Sequence, residues 1–177
     1  MKQYFKSVIT IMALLISTIV YAGDTFESTD TKCKITFPGK YDVETNKEDD
    51  VTTVTVSFTQ GAMIYMMIVS IHKETLTEDE KEGDLMEVLS LYSFASKLEA
   101  KIKSKKTFSF SVGEENGYYS YIKGKLDVGQ KKKTKYEGNY YVIIRDKIMY
   151  QFTALGMKKS YNERPALDFA DSFNFID

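Results

Sequence analysis

Few side chains in this chain are suited to chemistry. His72 is the single imidazole, and so the one ready general base near neutral pH. Ser70 lies two residues earlier, on the same face if the segment is extended. No Gly-x-Ser-x-Gly turn, which would present a nucleophilic serine, occurs anywhere. Cys33 is the single thiol, and periodicity alone does not place it beside His72. A small hydrolase using His72 or Cys33 is one reading. The acidic pairs Asp49-Asp50 and Glu114-Glu115 and the run Glu78–Glu80 lack the ligand spacing of a calcium loop. Two fall at turns and one at a helix start, where carboxylates serve structure. Gly124 and Gly129 have the spacing of a phosphate loop, but Gln130-Lys131 stands where Lys-Ser/Thr is required. No catalytic set, metal site or cofactor is expected.

The remaining candidates bind rather than react. Tyr118, Tyr119, Tyr121, Tyr140 and Tyr141, with Tyr136 and Tyr150, belong to a set of 13 tyrosines in a chain without tryptophan. Rings with hydroxyl rims suit contact with protein or glycan, although strand propensity and core packing favour tyrosine too. Lys131, Lys132, Lys133 and Lys135 form the one dense basic patch. They suit an anionic surface such as lipid headgroups, or else a solvated hairpin tip.

The elements that must position these residues begin after an address. Lys2 and Lys6 precede the mostly apolar stretch Val8–Val20, and Val20-Tyr21-Ala22 offers small residues where a signal peptidase reads. Residues 1–22 are expected to be a cleaved signal peptide and 23–177 one domain, periplasmic or secreted, with no lasting membrane span. Of 177 residues, 43% are hydrophobic and 14% aromatic, too apolar for disorder. The net charge of −1 lacks the basic footprint of a nucleic-acid binder. One cysteine excludes an internal disulfide and, with one histidine, a structural zinc site.

Within the domain, period-two alternation predicts strands over Lys32–Phe37 and Thr53–Thr59, at Phe108–Val112 and Tyr118–Ile122, and in the apolar runs Tyr140–Ile144 and Ile148–Leu155. Ala62–Ile71 is almost continuously apolar and predicts a central strand covered on both faces. Cys33 alternates with Ile35 and Phe37, which predicts a buried thiol beside the long helix. Glu114-Glu115-Asn116-Gly117 is a hairpin signal. That helix is predicted from a Thr77–Glu80 capping box, with an apolar face from Leu85 to Ile102, and a short one opens at Pro165. The fold class is therefore α+β, an antiparallel sheet flanked by a long central helix and a short C-terminal helix.

The Phe37-Pro38-Gly39-Lys40 start, the hairpins, the mid-chain helix, the tyrosine-rich late strands and the closing Phe169-Ala170-Asp171-Ser172-Phe173 resemble secreted bacterial proteins of the PsbP-like fold. The resemblance implies a PsbP-like sandwich and an exported protein. With no catalytic constellation in view, the function expected is a non-enzymatic binding or accessory module for an unknown envelope protein or glycan.

Overall fold

The computed structural model describes residues 23–75, 107–126 and 134–176. In chain order these form β1 (Asp24–Ser28), β2 (Cys33–Phe37), β3 (Asp42–Glu48), β4 (Val51–Gln60), β5 (Met63–His72), β6 (Thr107–Val112), β7 (Glu115–Leu126), β8 (Thr134–Arg145), β9 (Ile148–Met157), α1 (Glu163–Asp171) and β10 (Asn174–Phe175). The expected single sheet is in fact two. Seven strands pair antiparallel in the order β3-β4-β5-β9-β8-β7-β6, and three pair as β1-β2-β10. The alternating residues Cys33, Ile35 and Phe37 explain the split. They turn inward onto the large sheet while Lys34 stays in solvent, so β2 packs across that sheet instead of extending it.

Strand periodicity divides the large sheet into two faces. On the first, Tyr65, Met67 and Val69 of β5 meet Tyr141 and Ile143 of β8 and Tyr150 and Phe152 of β9. Phe37 of β2, Phe169 of α1 and Phe173 close over them. On the second, Ile68, Ile122, Tyr140, Val142, Ile144, Met149 and Leu155 form a separate core. β5 thus contributes to both cores, in keeping with its composition. Two polar groups buried on the second face pair within it: Tyr140 Oη donates to Gln151 Oε1 at 3.0 Å, and Thr153 Oγ1 to the Asn139 carbonyl at 2.7 Å.

Three strands carry no apolar alternation and are not predicted, β1, β3 and the two-residue β10. β3 is exposed along its whole length. It exists because β4 offers it a ladder from Asp42↔Ser57 to Glu48↔Val51. Its charges suit an edge, since they discourage further strand pairing. The β6–β7 turn falls at Gly113-Glu114, ahead of the predicted position. Val112 pairs with Glu115, and Gly113 at φ +60° takes the left-handed first corner.

α1 begins two residues before Pro165, because Asn162 supplies the cap: its Oδ1 accepts from the Arg164 amide at 3.3 Å. Ser172 stops the helix and ties it down. Its Oγ donates to the Phe169 carbonyl at 2.7 Å and accepts from the Thr36 amide of β2 at 2.9 Å. The predicted long helix from Thr77 lies outside the described residues. Among the described residues α1 is the one helix, and no helix is long and apolar enough to cross a membrane.

Candidate functional site

The register separates the two catalytic candidates. His72 and Ser70 share the parity of Ile68, which faces the second core, whereas Cys33 belongs to the first. The large sheet stands between them, so they do not form a nucleophile–base pair. Cys33 is fully buried among first-core residues. Its described surroundings are the small sheet and Thr31, whose Oγ1 lies 3.4 Å from Sγ, while the predicted neighbouring helix lies outside the described residues. Burial pushes the thiol up to about 11, against a smaller downward pull from Thr31. A neutral, enclosed thiol is not a nucleophile. The His72 Nε2 atom is buried without a hydrogen-bond partner.

The five tyrosines singled out from sequence also divide. Tyr118 and Tyr140 face the second side, Tyr118 partly in solvent and Tyr140 fully buried against Gln151. Tyr119, Tyr121 and Tyr141 face the first side and do come together. Register aligns Phe108, Tyr119, Tyr141 and Phe152 across β6, β7, β8 and β9. Their rings stack at centroid distances of 5.2, 5.3 and 5.0 Å, and Phe173 extends the column at 4.8 Å from Phe152. Five rings thus run across four strands to the segment after α1.

Beside this column the first face is not closed. A cleft of about 1030 Å³ lies between it and α1, lined among others by Phe110, Tyr119, Tyr121, Asn139, Tyr141 and Tyr161. Leu167 and the carboxylates Glu163 and Asp171 line it from the α1 side. The turn 158–161 brings Tyr161 in, held by its amide donating to the Met157 carbonyl at 2.8 Å. Gly156 makes this possible, because a Cβ there would stand 2.8 Å from the Tyr161 Cα.

Three of the cleft phenols, Tyr121, Tyr141 and Tyr161, are biased toward the protonated form. Burial pushes Tyr121 up to about 12, helped by its hydrogen bond to Glu137 and the charges of Glu137 and Glu163. Tyr141 also rises to about 12, chiefly by burial, against a hydrogen bond from Asn139 and with the charges of Asp171 and Glu163 adding. Tyr161 rises too, by burial first and then its tyrosine and carboxylate neighbours. The Tyr161 hydroxyl is buried without a hydrogen-bond partner. A buried group of this kind costs about 1–3 kcal/mol, so its position behind the cleft requires an account. Sequence reasoning missed Tyr161, Glu163 and Asp171. A tyrosine just before the Asn162 helix cap was the available signal.

No protein-family profile matches the chain, and no curated protein does. A solved structure does: the solution structure of cyanobacterial PsbP (CyanoP) from Synechocystis sp. PCC 6803, with a TM-score of 0.59 over 89% of this chain and 95% of that one, at 11% identity. The fold is PsbP-like. The resemblance read from the sequence holds at the level of the PsbP-like fold, and no residue role passes from one chain to the other.

On this PsbP-like scaffold the basic patch sits apart from the cleft. Lys131, Lys132 and Lys133 lie outside the described residues. Lys135 is exposed on β8, directly opposite Lys125 of β7, and its carbonyl accepts from the Lys158 amide at 3.0 Å. Three exposed lysines thus gather at one end of the sheet without an acidic partner among the described residues. Like charges placed opposite one another do not stabilise strand pairing. Lys123 is held elsewhere, 3.7 Å from Glu137 and 5.0 Å from the Tyr121 ring centre. Among the described residues no group of three His, Cys, Asp or Glu side chains is arranged to hold a metal. What the cleft can do is enclose a ligand between apolar walls, with phenols that donate and carboxylates that accept.

Proposed function

We propose that the protein is an exported, non-enzymatic binding or accessory module, and that the cleft between α1 and the aromatic column is where it holds its partner. One observation carries this reading: a hollow of about 1030 Å³ whose lining includes Tyr161, with its hydroxyl buried and unpartnered behind the wall. Residues that only fill a core close such a space and pair such a group. The separation of His72 from Cys33 favours binding over hydrolysis, and the PsbP-like fold is compatible with an accessory role.

A photo-crosslinking residue in place of Leu167, inside the cleft, tests the site against one in place of Glu44 on the exposed β3 edge. In cells, a discrete adduct is expected from position 167 and none from 44. Equal capture at both, or none at 167, would remove the cleft from consideration. His72→Ala is expected to leave the adduct unchanged. Intact-mass measurement tests export: the mature species should lack residues 1–22, and a species retaining Met1–Ala22 would refute cleavage.

The gathered lysines favour a second, weaker contact with an anionic surface. Replacing Lys125, Lys135 and Lys158 by Gln should abolish sedimentation with phosphatidylglycerol vesicles, and unchanged sedimentation would refute the contact.

A further inference from the structure

The charge lining the cleft is one-sided, and Lys123 over the Tyr121 ring is paired with Glu137. Among the described residues lining it, Glu163 and Asp171 are charged and no lysine or arginine is present. Asp171 stands in the last turn of α1, which holds no basic residue. A carboxylate there opposes the negative end of the helix macrodipole, so helix stability does not explain it. Both carboxylates act on one phenol, Tyr141, which ties the two ends of α1 to the same enclosed space. At 1.5 Å of rise per residue they stand about 12 Å apart along the cleft wall.

The aromatic column narrows the choice of ligand further. Its inner rings stack on one another, so their faces are already covered and mainly edges and hydroxyl tips remain for the cleft. A neutral sugar, which packs its C–H face on an open ring, gains little here and has no cation to offer two carboxylates. An arginine does better, because its guanidinium donates to carboxylate and phenol oxygens while its stem packs against ring edges.

We infer that the cleft takes an extended, basic peptide segment of a protein partner, with cationic side chains on Glu163 and Asp171. This rests on the cleft being the binding site. In an extended chain, residues four apart share a face and stand about 13 Å apart, which matches the carboxylate spacing.

The test is calorimetric titration of the full chain with a five-residue peptide carrying arginine at both ends and serines between. Comparisons are its glutamate counterpart and a neutral chito-oligosaccharide. Binding of the arginine peptide alone is expected, with affinity falling about tenfold for Glu163→Gln and again for Asp171→Asn. Asp171→Asn should not lower the melting temperature, so its effect on binding cannot be dismissed as unfolding. Equal binding by wild type and both variants would overturn the inference, as would binding of the oligosaccharide in preference to the peptide. Absence of peptide binding would also overturn it. The adduct at position 167 judges the cleft separately, so a failed ligand class and a failed site give different results.

Discussion

The first face of the large sheet carries aromatic residues from β4 to β6, yet its two halves behave differently. Over β5 and β9, Phe37, Tyr65 and Phe169 meet at 5.1 and 5.4 Å between ring centres, and helix and small sheet close over them. There the polar atoms are paired: Tyr150 Oη donates to the Thr31 carbonyl at 2.9 Å. Over β6, β7 and β8 the same kinds of residue leave a hollow with carboxylates at its wall and an unpartnered hydroxyl behind it. Residue type alone therefore does not mark the site. On this face, the unfilled space together with the unpaired hydroxyl does.

The sharpest way to break this contrast is in the closed half. Phe169→Ala removes a buried ring from between β2 and β5 and should cost about 3–5 kcal/mol, read as a lower urea midpoint. A loss below about 1 kcal/mol would show that the closed half is not the structural one.

High pH should also act there. The folded pKa of Cys33, about 11, lies above its ordinary 9.0, so between those values the folded state keeps a proton that the unfolded chain releases. Its contribution is complete below pH 9 and is lost as pH rises toward 11, a total of about 2–3 kcal/mol. Urea midpoints at pH 7.5, 9 and 11 should fall accordingly, and Cys33→Ala should flatten the part below pH 10. Above pH 10, Tyr121 and Tyr141 add losses of the same sign, since their folded values near 12 exceed 10.0. A bulky maleimide should label Cys33 only on unfolding. Rapid labelling of the folded protein would place the thiol at the surface.

The smallest effects come from two matched hydroxyl deletions. Tyr150→Phe strands the Thr31 carbonyl and should destabilise by about 1–2 kcal/mol. Tyr161→Phe removes a group that has no partner to strand, so stability should stay level or rise by up to about 1 kcal/mol. Equal losses at both positions would erase the distinction between the halves.

The strands with apolar alternation were readable from sequence because burial on one face writes a period of two into the residues. β3 was not, because every side chain in it is exposed and only its pairing with β4 defines it. The partition of the tyrosines followed from parity, but the misplaced β6–β7 turn hid which residues oppose Tyr119. With Gly113-Glu114 as the turn, Phe108 falls opposite it and the column emerges. Tyr161, Glu163 and Asp171 escaped because a helix folding back over a sheet is a long-range event. Local periodicity carries no record of which carboxylates it will bring to a given phenol.

The small sheet has a consequence for the order in which the molecule can be completed. A chain growing from its N-terminal side has every strand of the large sheet once Met157 has been made. β2 still lacks its neighbour on one side. Asn174 and Phe175 must arrive to pair with Lys34 and Cys33, and Ser172 must arrive to reach Thr36. Closing a loop of that length comes late and is slow compared with making hairpins. Until then the faces of Ile35 and Phe37 have no lasting cover from α1, and a nascent chain that stalls before residue 172 is the natural substrate of a chaperone.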